Sequence, residues 1–190
     1  MIKLYEAKIT DFTQADYTKM YSLLECAIRD KIDAKKSNKS KQQTLVGYIL
    51  LYRAIEELYP DKDIKITYNE NGKPECDFCY FNISHSDMQV VCAVSDYPIG
   101  VDIQKIKDIV PRKKYKFFIE KENDYVNQNY DFCSERFVEI FAKKEAAIKM
   151  LGKTMAHAVN IDTFSKDFCF KIQKKQNFIL CVCCENNTRD

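Results

Sequence analysis

The hydrophobic period along this chain changes in the same order twice, and that order constrains the fold more than any single motif. An apolar alternation over residues 2–7 predicts a strand, helical spacing follows over 15–32 and 44–58, and period two returns over 64–67, 80–83 and 90–94. Asn71-Gly72 marks a tight turn between the first two of these later strands. From Ile99 the succession begins again. "IGVDI" reads as a strand, residues 114–126 and 135–151 as helices, and "DFCFKI" and "NFILCVCC", parted by "QKKQ", as a closing hairpin. The pattern predicts an α+β protein built as a pair of similar α/β halves, residues 1–97 and 98–190, packed as one unit with the seam near residues 96–98. Two such halves leave a groove between them, a common place for a small-molecule site.

Composition narrows the partners. The chain has 190 residues, 46% of them hydrophobic, which suits a soluble core, and its 30 basic against 28 acidic side chains give a net charge of only +2. A nucleic-acid binder relying on global charge is therefore disfavoured, and the basic run at residues 29–41 comes without a stacking motif. No apolar run approaches the roughly 20 residues that span a bilayer, and the N-terminus lacks an export pattern. The nine cysteines are odd in number and form no regular framework, so reduced thiols in a cytoplasm are expected. Cys76 and Cys79 have zinc-like spacing, but the other cysteine cluster lies in an alternating strand whose side chains point to opposite faces, which argues against a shared metal.

Four stretches carry chemistry. In "GVDIQ" the strand period puts Asp102 and Gln104 on one face and Val101 and Ile103 on the other; the plain alternative is an acid facing water on an edge strand. In "SERFVEIFAKKEAAIKMLGK", Ser134 is expected as the N-cap, Lys144 falls within the apolar stripe, Glu145 lies at its edge and Lys149 follows one turn on. An ordinary Glu-to-Lys pair at i, i+4 explains the last two equally well. "NISHS" sets His85 between Ser84 and Ser86, groups suited to phosphate oxygens, with Lys73 nearby in "NGKP"; a serine nucleophile with a histidine base is the rival reading. After the basic run, Thr44 is expected to offer a hydroxyl and an early helical N–H to an anion.

"GKP", "NISHS", "GVDIQ" and "FAKKEAAIKMLGKT" in this order resemble the motifs of the 4'-phosphopantetheinyl transferases of the surfactin-synthetase-activating type. The resemblance runs from about Arg29 to Thr154 and more weakly to the end. It implies a pseudo-twofold pair of halves with coenzyme A in the groove, and Mg²⁺-dependent transfer of phosphopantetheine to a serine of an apo acyl or peptidyl carrier protein, with release of 3',5'-ADP. Mn²⁺ is an alternative metal, and a monomer is expected. Position by position, the resemblance makes Asp102, Glu145 and Lys149 the catalytic set, and Asp102, Glu145 and Gln104 the metal ligands. It makes Lys73, Ser84, His85, Lys149, Lys31, Thr44 and Arg29 the coenzyme A contacts, with Lys144 and Glu122 as further candidates.

The departures are specific. Gln104 stands where the family carries a glutamate, Phe141 where it carries a tryptophan, Gln43 in place of an arginine and Thr154 in place of a glycine. Gln104 removes one negative charge from the metal site, and it is the one feature favouring a non-catalytic relative that only binds coenzyme A or a carrier protein.

Overall fold

The computed structural model describes residues 1–110 and 114–186. Strand β1 (Ile2–Lys8) leads through helices α1 (Gln14–Ser22) and α2 (Cys26–Asp33) to the long helix α3 (Asn38–Leu58). Short strands β2 (Thr67–Tyr68) and β3 (Pro74–Glu75) pair about the Asn71-Gly72 turn, where Gly72 takes a positive φ of 76°. Strands β4 (Tyr80–Ser86), β5 (Gln89–Ser95) and β6 (Ile99–Lys105) follow, then helices α4 (Glu120–Asn127) and α5 (Cys133–Met150) and the hairpin β7 (Phe168–Lys175) and β8 (Phe178–Glu185).

Two antiparallel three-stranded sheets result, ordered β1-β5-β4 and β6-β8-β7. In each, the earliest strand lies at one edge and the latest in the centre. The central strands are apolar on both faces, and this fixes the layers. Val90, Cys92 and Val94 of β5 face α3 in one core, while Val91 and Ala93 meet Val101, Ile103, Leu180 and Val182 of the second sheet. On its far face the second sheet packs Ile179, Cys181 and Cys183 against Ala142, Ala146 and Ala147 of α5. The order is helix, sheet, sheet, helix, with an apolar seam between the sheets.

Several expectations from periodicity are corrected. The helix expected over 15–32 is two helices: the chain breaks at residues 23–25, leaving Leu23 67% exposed, and α1 has its own capping box from Thr13 and Asp16. The expected 114–126 helix begins only at Glu120. The Tyr115 and Phe118 rings before it pack at a tilt around Phe137, with centroids 4.8 and 5.1 Å away, so their spacing reflects tertiary packing. Ser134 is not an N-cap but lies in the first turn of α5, where its hydroxyl accepts the Ile109 N–H at 3.0 Å. The strand expected at 64–67 survives only as Thr67–Tyr68. Residues 111–113 and 187–190, which fall partly in stretches read above, lie outside the described residues.

The turn between β4 and β5 ties three elements together. Asp87, at a φ of +54°, accepts Lys39 Nζ from α3 at 2.6 Å and Lys105 Nζ from β6 at 2.7 Å, and its backbone carbonyl accepts Gln43 Nε2 at 2.8 Å. These two ammonium groups hold its carboxyl down at about 2. A carboxyl depressed in the folded state stabilises it above the ordinary aspartate range, and that contribution disappears as pH falls through about 2. Asp87→Asn is therefore expected to lower the melting temperature at pH 6, with the difference from the unsubstituted protein closing as the pH approaches 2 in a calorimetric series.

Candidate active site

The site starts from a missing side chain. A Cβ placed on Gly100 would lie 1.8 Å from the Ala146 carbonyl oxygen and 2.8 Å from the Met150 amide nitrogen, so α5 rests directly on the backbone of β6. With the strand period of two, Asp102 and Gln104 share Gly100's face and point toward α5, which carries Glu145 and Lys149 on successive turns.

Asp102 is 1% exposed and fully partnered. Its Oδ1 accepts the Ser84 hydroxyl at 2.7 Å and Lys149 Nζ at 2.6 Å, and its Oδ2 accepts Gln104 Nε2 at 2.9 Å. Lys149 Nζ also donates to Ser84 Oγ at 2.9 Å and to the Val101 carbonyl at 3.3 Å. Ser84 thus uses its single donor on Asp102 while accepting from Lys149 and from the Ile103 N–H at 3.3 Å. β6 is an edge strand, but Asp102 does not face water from it, and the routine i, i+4 pair fails because the ion pair of Lys149 is with Asp102. Glu145 is half-buried. Burial pushes its carboxyl above the usual glutamate range; the Asp102 charge adds to this and Lys149 opposes it.

The donor set fits a hard divalent cation. Two carboxylates, Asp102 and Glu145, stand with the amide of Gln104, whose oxygen is left over after its NH₂ group binds Asp102. The Lys149 ammonium already occupies a cation's place beside Oδ1. With an amide in the third position the group holds only two acids, and among the described residues no set of three or more His, Cys, Asp or Glu is arranged for a metal, the Cys76 and Cys79 pair included. The described cysteines are all free thiols, and burial drives the Cys79 thiol up to about 12.

The remaining candidates divide. His85 is exposed at the end of β4, on the face opposite Ser84, and desolvation together with the charges of Lys149 and Lys35 pulls its imidazole below the usual range. Lys73 reaches across to α5, where its Nζ donates to the Met150 carbonyl at 3.0 Å and so caps the helix C-terminus; burial lowers its ammonium. Beside it Asn71 Nδ2 donates to the Gly152 carbonyl at 2.9 Å. Lys31 sits over the Tyr68 ring, 3.1 Å from its centroid, and Arg29 donates to Cys26 Sγ at 3.1 Å. Thr44 offers no free helical N–H, because α3 begins at Asn38 under a Ser37 cap and the Thr44 hydroxyl donates to the Ser40 carbonyl at 2.8 Å.

Lys144 and Glu122 are brought together, but apart from Asp102. Both are 0% exposed and pair at 2.8 Å. Lys144 Nζ donates also to the Ala158 carbonyl at 2.9 Å and the Ile161 carbonyl at 2.5 Å, while Glu122 accepts the N–H and hydroxyl of Thr163 and the Ile119 N–H. Every donor of the ammonium is used in fastening α4 and the segment after α5 to α5, which is a structural task. Sequence reasoning missed Lys35 as a neighbour of His85 and missed the hydrogen bonds of Asn82 and Ser86 to β6. The signal for the latter was present in the period-two spacing of Asn82, Ser84 and Ser86.

This frame and charge cluster define a class. The family model of the 4'-phosphopantetheinyl transferase superfamily matches residues 98–186. The 4'-phosphopantetheinyl transferase gsp of Aneurinibacillus migulanus is 36% identical over 145 residues, covering 73% of this chain and 60% of that protein. The 4'-phosphopantetheinyl transferase Sfp of Bacillus subtilis (strain 168) is 31% identical over 159 residues, covering 80% of this chain and 70% of that protein. The chain belongs to the 4'-phosphopantetheinyl transferase superfamily, and it spans roughly three fifths to seven tenths of the length of these two relatives.

Removing one partner of the buried Lys144–Glu122 pair strands a charge. Glu122→Ala is expected to destabilise the fold by about 3–5 kcal/mol in denaturant titration, as is typical for breaking a buried pair.

Proposed function

We propose that this protein transfers the 4'-phosphopantetheine group from coenzyme A to a serine of an apo acyl or peptidyl carrier protein, releasing 3',5'-ADP. The observation carrying this reading is the convergence of Asp102, Ser84, Glu145 and Lys149 from β6, β4 and α5 on one cluster. The strand order shared by the two sheets supports the further reading that residues 1–97 and 98–190 are pseudo-twofold halves with coenzyme A in the groove between them. Such internal pairing suits a monomer. Its free thiols suit a cytoplasmic setting, and none of its described helices is long and apolar enough to cross a membrane.

In the reaction, the serine oxygen forms a bond to the phosphorus of the phosphopantetheinyl group, and the bond from that phosphorus to the 3',5'-ADP oxygen breaks. Glu145, whose raised carboxyl affinity for protons suits a base, takes the serine proton. Lys149 turns from Asp102 toward the pyrophosphate and offsets the charge that develops on the leaving group. Asp102, Glu145 and the Gln104 amide oxygen would hold Mg²⁺, or Mn²⁺, which when bound neutralises charge on the phosphate under attack. His85 and the Lys31 region face the 3'-phosphate, with Lys73, Ser84, Thr44 and Arg29 as further coenzyme A contacts. A phosphate beside His85 would counter the cations that now depress its protonation. Lys73 and Lys31 must exchange the Met150 carbonyl and the Tyr68 ring for the ligand.

Incubation with coenzyme A, Mg²⁺ and a panel of apo carrier proteins should add the mass of one phosphopantetheine to at least one carrier. Glu145→Ala should slow this by about 10²-fold or more, the scale of losing a general base, and EDTA should abolish it. Transfer that survives Glu145→Ala would sink the site. A protein that binds coenzyme A yet modifies no carrier would favour the second reading, a binding relative, which rests on Gln104.

Gln104→Glu restores a third acid to the site. The magnesium concentration giving half-maximal rate should fall in this variant, and an unchanged or higher value would refute a ligand role for residue 104.

A further inference from the structure

The edge of β6 that faces β4 is closed without a strand ladder. Three N–H groups on that edge each meet a β4 side chain: Val101 N–H donates to Asn82 Oδ1 at 2.9 Å, Ile103 N–H to Ser84 Oγ at 3.3 Å and Lys105 N–H to Ser86 Oγ at 3.0 Å. Donors and acceptors both advance by two residues, so the rows run in step. A slip of one residue would turn all three acceptors away at once.

Ser84 is the middle rung and itself binds Asp102 and Lys149. Among the described residues the outer rungs, Asn82 and Ser86, bond to neither group, yet they hold the N–H groups on both sides of the Asp102-bearing segment. The geometry points to Asn82 and Ser86 as positioning residues, which set the register of β6 against β4 and thereby the direction in which Asp102 presents its carboxylate to Lys149 and Glu145.

The two rungs differ in support. Lys105 is held a second time through its Nζ on Asp87 at 2.7 Å. Val101 N–H has no such reserve among the described residues: it is buried, and Asn82, 7% exposed, is its acceptor. Loss of Asn82 therefore orphans a buried donor beside Asp102 and disturbs the site more than loss of Ser86 does.

The activity readout for this inference rests on the transferase reading, so a second readout independent of transfer accompanies it. Asn82→Ala, Ser86→Ala and Ser86→Thr are compared for kcat, for KM toward coenzyme A, and for the NMR resonances of the Gln104 side-chain amide, which report its bond to Asp102 Oδ2. In Asn82→Ala kcat should fall about tenfold, the scale of a sub-ångström misplacement, with KM within about twofold. The loss should be smaller in Ser86→Ala and largely recovered in Ser86→Thr, which keeps the acceptor oxygen, and the Gln104 resonances should move in the same order.

A folded Asn82→Ala protein with unchanged kcat and unmoved Gln104 resonances would overturn the inference, as would a rise in KM with kcat intact. Should Asn82→Ala fail to fold, the Ser86→Ala and Ser86→Thr pair decides alone, and equal behaviour of the two would overturn it. If the unsubstituted protein transfers nothing, the transferase reading fails, and the Gln104 resonances still decide the positioning role.

Discussion

The contact of α5 with the backbone of β6 at Gly100 is the constraint on which the site depends. Two groups of opposite origin, a strand carboxylate and a helix ammonium, come within 2.6 Å only because no Cβ separates helix from strand. The same contact decides what covers Asp102. A strand with apolar Val101 and Ile103 on one face must bury that face against the other sheet, which leaves Gly100, Asp102 and Gln104 to face the helix. An acid on a strand, unfavourable by propensity, becomes tolerable there because three donors satisfy its oxygens.

The two kinds of buried charge in α5 show how neighbouring residues come to do different work. Lys144 and Glu145 are adjacent in sequence, but on a helix they point about 100° apart. Lys144 enters the core, where Glu122 and two carbonyls satisfy it completely, so it is fixed and has no capacity left for a ligand. Glu145 turns toward β6, partly open to solvent, where burial and Asp102 raise its affinity for a proton. One charge is locked by its partners and the other is left adjustable, which is the separation a site needs from its scaffold.

Much of this was legible in the sequence because period two and period 3.6 are local. Asp102 with Gln104 on one face, and Lys144 within the stripe with Glu145 at its edge, followed from spacing alone, and the order of the motifs pointed to the family. The parts that escaped depend on distant contacts. The partners of Lys144 lie 14 to 22 residues away in the segment after α5 and in α4, and nothing in the spacing of "EKE" reveals that Glu122 meets Lys144. The break between α1 and α2 was hidden because the apolar spacing continues across residues 23–25. The early helical N–H expected at Thr44 is absent for a related reason: polar residues 38–43 look like loop by hydropathy but continue the helix under the Ser37 cap.

Among the partners of Asp102, the one that can leave is decided by geometry. Ser84 is pinned by the Ile103 N–H and by its own place on β4, and Gln104 is anchored on the same strand two residues away. Lys149 alone reaches Asp102 on a long flexible stem from another element, and its side chain is 26% exposed against 2% for Asp102. Under the proposed function, a phosphate arriving in the groove would compete with Asp102 for that ammonium and uncover Oδ1 as it succeeds, coupling substrate entry to exposure of the carboxylate. Gln104 would set the strength of this coupling. With an amide in that position, the two carboxylates and Lys149 sum to one negative charge rather than two, and Lys149 is held less tightly than a third acid would hold it. In the proposed reaction the chain would thus trade affinity for a metal cation against ease of releasing its own internal ammonium.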